Sequence, residues 1–157
     1  MADYAKPVPN PEHPELTRPF WEAAKQHRLV IPWCGRCSEY FWYPRQVCPR
    51  CLQDGWEWAP VSGKGRLYSF TLVYQPQNPV FNEEIPYPFA MIQLDEGVRI
   101  VSNIVDCVIE DLRVDMPLEV TFEDVTDEWT LFKFHPAGAR QPASKKRAGR
   151  QSARARN

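Results

Sequence analysis

The chain has 157 residues, 43% hydrophobic and 13% aromatic, which is enough apolar matter for one folded domain with a real core and excludes a wholly disordered protein. The formal charge of −1 hides an asymmetry: residues 138–157 carry Arg140, Lys145, Lys146, Arg147, Arg150, Arg154 and Arg156 and no acid, leaving the other 137 residues with 12 basic and 20 acidic side chains, a net −8. An acidic body repels phosphate and makes nucleic acid an unfavoured partner. No apolar run reaches the roughly 18 residues of a membrane span, and Met1 to Pro7 has no apolar signal core, so a cytoplasmic location without membrane contact is expected.

Pro7, Pro9, Pro11, Pro14 and Pro19 predict an extended arm over residues 1–19, because proline fixes φ and removes a backbone donor. A short helix is expected from Thr17 to Gln26. Thr17 would cap it, Pro19 would sit in its first turn, and Phe20, Trp21, Ala23 and Ala24 would form its apolar side. Leu29-Val30-Ile31 predicts a short buried strand broken at Pro32. Residues 33–60 gather four of the five cysteines with Trp33, Tyr40, Phe41, Trp42, Tyr43, Trp56 and Trp58 into a compact unit.

From Gly65 the pattern is all-β. Strands are expected at Leu67–Tyr74, Phe89–Leu94, Val98–Val105, Leu118–Phe122 and Trp129–Phe134. Asp95-Glu96-Gly97 is a tight hairpin turn. Pro76 to Pro88 is a proline-broken loop, and Asp111 to Pro117 is too short and interrupted for a helix. About five strands with short connections in roughly 70 residues predict a small closed or partly open barrel. The class is mainly β: arm and helix over 1–28, cysteine unit over 29–60, barrel over 61–136, and a disordered basic tail over 137–157.

Cys34-Gly35-Arg36-Cys37 and Cys48-Pro49-Arg50-Cys51 carry the chemistry. Each Cys-x-x-Cys knuckle aims two sulfurs at one point, and two knuckles supply four thiolates to a tetrahedral Zn²⁺. Gly35 would ease the first turn, and Tyr40–Tyr43 would run as a hairpin that brings the knuckles together. A redox Cys-x-x-Cys needs a βαβ context that is missing. Iron competes for the same four sulfurs. Four thiolates leave no position for water or substrate, so the metal is structural. With zinc the centre carries −2; Arg36, Arg45 and Arg50 either offset that charge or are ordinary surface arginines.

No self-sufficient active site is expected. Cys107 lies between apolar neighbours and reads as a small hydrophobe rather than a nucleophile. His13, His27 and His135 are scattered, without a carboxylate or cysteine at ligand spacing. Asp95-Glu96 and Asp127-Glu128 sit in turns and read as solvated turn acids. Catalytic and cofactor-binding residues are therefore assigned to none.

The cysteine pairs, together with Tyr43-Pro44-Arg45, Trp58, Val61-Ser62-Gly63-Lys64-Gly65, Tyr68-Ser69-Phe70-Thr71, Pro86-Tyr87-Pro88, Met116-Pro117-Leu118-Glu119-Val120 and Phe134-His135-Pro136, carry a resemblance. Over about residues 19–136 the chain resembles the zinc-ribbon and OB-fold acyl-CoA-associated proteins, the family of the domain of unknown function thirty-five. The resemblance implies a helical segment, a rubredoxin-like zinc ribbon and an OB barrel. It also implies a role: an accessory subunit, without its own catalytic residues, of a thiolase or side-chain aldolase complex in lipid or steroid degradation. Acyl-CoA would bind through the partner's site. The complex would hold two copies of each subunit, with a hydratase-type subunit as a further partner. The alternative function is a single-stranded nucleic-acid-binding module, since OB barrels offer aromatic platforms to bases. The tail's cations would contact either CoA phosphates or an acidic face of the partner, or else stay solvated.

Overall fold

The computed structural model describes residues 6–138. Residues 1–5 and all but the first two residues of the expected tail lie outside that range. Helix α1 spans Pro14–Lys25. It begins three residues before the expected start because Pro14, with φ preset and no N–H to satisfy, takes the first helical turn after His13. Thr17 is therefore not the cap, and its hydroxyl donates back to the His13 carbonyl at 3.2 Å. At the other end His27 turns into the left-handed region, with φ 55°. The His27 N–H donates to Ala24 O at 2.8 Å and the Arg28 N–H to Ala23 O at 2.9 Å, closing the last carbonyls.

A three-stranded antiparallel sheet follows, in the order β2-β1-β3, from β1 (Val30–Cys34), β2 (Glu39–Tyr40) and β3 (Glu57–Pro60). The expected break at Pro32 does not occur. Pro32 pairs with Trp58 across the β1–β3 ladder. Its carbonyl accepts the Phe41 N–H at 3.0 Å. Its missing donor faces the side where the two-residue β2 has already ended, so the ladder loses nothing essential.

The second sheet has five antiparallel strands in the order β6-β5-β4-β7-β8: β4 (Lys64–Val73), β5 (Tyr87–Leu94), β6 (Arg99–Asn103), β7 (Pro117–Asp124) and β8 (Thr130–Pro136). All five expected strands are present, with ends shifted by a few residues. Ile104 bridges Phe134 in parallel, and the Val105 N–H donates to Phe134 O at 2.8 Å, so the sheet nearly closes on itself. Leu67, Ile92, Leu94, Ile100, Leu118 and Phe134 point inward and are fully buried. Alternation along each strand dictates that placement. The proline-broken loop contains one short 3₁₀ turn, Pro79–Phe81, opened by Asn78, whose Oδ1 accepts the Val80 N–H at 3.1 Å.

The two sheets share one core. Phe20 of α1, Leu29 and Val30–Ile31 of β1, and the inward barrel residues form a single apolar cluster. Phe20 is the joint. Its ring lies 5.4 Å from Trp42, 5.9 Å from Trp58 and 5.4 Å from Phe132. Helix, small sheet and barrel therefore bury their apolar faces against one another. No helix among the described residues is long and apolar enough to cross a membrane.

Candidate metal centre

The hairpin that presents the first knuckle is not Tyr40–Tyr43. It is β1–β2, with Cys34 paired to Glu39, so the knuckle itself is the turn. Phe41 to Tyr43 leave the sheet instead. The second knuckle closes on its own backbone: the Leu52 N–H donates to Cys48 O and the Cys48 N–H to Gln53 O, both at 2.9 Å. The Trp56 indole N–H reaches the Arg45 carbonyl at 2.7 Å and ties the two sides of the unit.

Gly35 does not carry the special turn conformation; its φ lies outside the left-handed region. The left-handed positions are Ser38 (φ 54°) and Leu52 (φ 57°), each immediately after the second cysteine of its knuckle. The two knuckles thus use the same backbone device at equivalent places. Neither position is a glycine, which is why the sequence pattern did not reveal it.

All four sulfurs lie within 4.8 Å of one another. Cys34 Sγ is 3.8 Å from Cys51 Sγ, and Cys37 Sγ is 3.9 Å from Cys48 Sγ. A tetrahedron with Zn–S of about 2.3 Å requires sulfurs about 3.8 Å apart. The donor set and its spacing fit a four-coordinate thiophilic ion. Cys34 and Cys48 are buried, and Phe41 and Trp56 pack over them, edge to face at 5.5 Å. Backbone N–H groups of Cys51 and Arg50 pull the Cys48 thiol down to about 7, while burial and the surrounding sulfurs push Cys37 up to about 12. Crowded thiols with no cation between them resist common ionisation; a divalent ion removes that conflict. Of the three arginines, Arg50 forms an ion pair with Glu39, and Arg36 and Arg45 are exposed.

The other singled-out residues stay apart. The Cys107 thiol is half-buried and pushed up by burial and by Asp106, the opposite of an activated nucleophile. His13 lies 3.4 Å from Glu15 on the surface. His135 is buried, with Nδ1 3.0 Å from Pro136 O. Glu96 braces a loop, its carboxylate accepting the Ser62 N–H at 2.6 Å. Asp127 and Glu128 are exposed at the β7–β8 turn. One grouping has no sequence signal: His27 Nε2 lies 3.0 Å from Asp124 Oδ1, which also accepts the Thr130 hydroxyl at 2.7 Å. Separation by 97 residues hides such a pair until α1 packs on the barrel.

Comparison with known proteins agrees with this geometry. Residues 21–57 match the rubredoxin-like zinc ribbon domain of ChsH2, and residues 58–123 match the ChsH2 C-terminal OB-fold domain. A probable enoyl-CoA hydratase alpha subunit of Thermomonospora curvata is 37% identical over 75% of this chain; the match spans 37% of that longer protein. A DUF35 domain-containing scaffold protein of Methanocaldococcus jannaschii is 33% identical over 72% of this chain and 80% of its own length. A benzoylsuccinyl-CoA thiolase subunit, BbsA of Geobacter metallireducens, is 27% identical over 56% of this chain and 57% of its own. A solved chain of the Ltp2-ChsH2(DUF35) aldolase superposes with a TM-score of 0.72 at 33% identity, covering 84% of this chain and 99% of that one. The family is thus linked to thiolase and aldolase partners. With a cysteine-knuckle ribbon running into a nearly closed five-stranded barrel on one shared core, the chain belongs to the DUF35 family, in its ChsH2-type arrangement of zinc ribbon followed by OB fold.

Proposed function

We propose that this chain is a non-catalytic accessory subunit. It docks on a thiolase-like enzyme, a thiolase or a side-chain aldolase, and supports that partner's acyl-CoA carbon–carbon bond chemistry. The observation that carries this reading is the likeness to the Ltp2-ChsH2(DUF35) aldolase over 99% of the solved chain. Two further observations support it. Among the described residues, neither Cys107 nor any of the three histidines sits in a nucleophile–base arrangement. Four sulfurs within 4.8 Å of one another would fill the coordination of a tetrahedral ion and leave no place for a reacting ligand.

In this reading Cys34, Cys37, Cys48 and Cys51 hold one structural Zn²⁺, with iron as the competing ion. The acyl-CoA site belongs to the partner. The complex contains two copies of each subunit and works in the cytoplasm, with a hydratase-type subunit as an additional neighbour.

The test is co-purification of the tagged chain from its native host, with mass spectrometry of whatever accompanies it. A stoichiometric thiolase-like subunit is expected, and the purified pair should have the mass of a heterotetramer by light scattering. Recovery of nucleic acid in place of a protein partner would transfer the assignment to the OB-type single-strand binder. Recovery of neither would end the accessory reading.

A further inference from the structure

We infer that the outer face of β4, β5 and β6 is the surface that seats the catalytic partner, and that the partner meets it with an apolar patch bordered by carboxylates. The inference rests on the accessory-subunit reading and adds the place of contact. Three large apolar side chains stand out on this face: Tyr68 is 44% exposed, Phe89 45% and Met91 37%. They are neighbours by register. Ser69 pairs with Met91, Thr71 with Phe89, and Met91 with Val101 across three adjacent strands.

A β-bulge creates the crowding. The β4–β5 register shifts between Leu67 and Ser69, so Tyr68 and Ser69 are consecutive and both exposed, while Leu67 and Phe70 pack on the core. Bulges commonly re-aim a side chain where a surface is used. Tyr68 is then held. The Arg99 guanidinium lies 3.7 Å over its ring, and Arg99 Nε donates to Gln93 Oε1 at 2.8 Å. Arg66 stands beside Gln93 in the same cross-strand row.

Charge selects the partner. None of the residues of β4, β5 and β6 is acidic, in a body whose net charge is −8. Tyr, Phe, Met and Arg without Asp or Glu is the composition of an interface centre. Arg66 and Arg99 at its border favour carboxylates opposite. OB folds use this same side, centred on their second and third strands, to meet ligands. A single-stranded nucleic acid fits less well, because Arg99 already covers the Tyr68 ring face on which a base would stack.

The test uses the thiolase-like subunit identified by co-purification, titrated against the full-length, metal-loaded chain. Phe89→Glu and the double change Arg66→Glu/Arg99→Glu should each raise Kd at least about tenfold, with zinc content and the far-ultraviolet circular dichroism spectrum unchanged. Glu128→Lys, at the exposed β7–β8 turn and outside these three strands, should bind as wild type does. Oxidative footprinting gives a readout without mutation: Met91 oxidation should fall on complex formation. If wild type binds, the face variants bind equally and Met91 stays unprotected, the inference is overturned and the accessory reading stands. If wild type captures no thiolase-like subunit, both fall. If a 20-nucleotide oligo-dT binds wild type but not Phe89→Glu, while Phe89→Glu keeps its affinity for the subunit, the face is a nucleic-acid site and the inference is overturned.

Discussion

At the scale of single residues, the cysteine quartet and the Asp124 carboxylate set two different kinds of dependence. Cys48 is buried and receives two backbone N–H bonds, so it is pre-arranged as a thiolate ligand. Cys48→Ser should reduce bound metal from about one ion per chain to almost none and melt the ribbon, because a structural ion supplies folding free energy. Metal analysis with circular dichroism checks this; a metal-free variant with native spectra would contradict it. Asp124 acts on pH. Its pKa is lowered first by the Thr130 hydroxyl and then by His27. A carboxylate depressed in the folded state stabilises above its unfolded value and loses that contribution as pH falls through the folded value. Wild type should therefore melt higher than Asp124→Asn at pH 7, and the gap should close as pH drops below 3.8. The side chain is exposed, so the difference should stay under about 1 kcal/mol. Thr130 is only 2% exposed, and Thr130→Val removes the donor to that carboxylate, at a cost of about 1–2 kcal/mol in urea melts.

At the scale of elements, the entry into the barrel is decided by two glycines. Gly63 has φ +71°, and a Cβ there would overlap the Val120 side chain. A Cβ on Gly65 would overlap the backbone carbonyl of Gln93, since β4 crosses β5 at contact distance. The obstacle at Gly65 is main chain, which cannot move aside as a side-chain methyl can. Gly65→Ala should accordingly destabilise more than most single changes, by about 2–4 kcal/mol, and Gly63→Ala somewhat less. Chemical denaturation of both variants checks the order. The segment Val61-Ser62-Gly63-Lys64-Gly65 thus has a steric reason for its composition, beyond its place in a family pattern. Helix α1 shows the complementary case. Proline at its first turn, rather than a hydroxyl cap, sets where it starts.

At the scale of the whole molecule, ribbon and barrel are not two beads on a string. Phe20 and Ile31 enter the same core as Leu67 and Phe134. Metal removal should consequently lower the stability of the barrel as well as of the ribbon. Far-ultraviolet circular dichroism and tryptophan fluorescence should report one coincident transition, shifted down together after chelation. Two separated transitions, with the barrel's midpoint unmoved, would show that the shared core transmits little.

Local features are legible in the linear order of the residues. Cysteine spacing marked the four candidate ligands, alternation marked five strands, and Asp95-Glu96-Gly97 marked the hairpin turn, because each of these is written within a few adjacent residues. Proline is harder to read: Pro32 stays in a strand because β3 pairs with it on one side and its missing N–H forfeits only a bond toward Phe41, past the end of β2. Packing between elements settles the rest. It placed Ser38 and Leu52 as the strained knuckle positions, joined His27 to Asp124 across 97 residues, and gathered Tyr68, Met91 and Arg99 from three strands onto one face. Each of these depends on register or on packing between elements. A linear pattern carries the period of a strand but neither the bulge that shifts its partner nor the helix that comes to rest on the barrel.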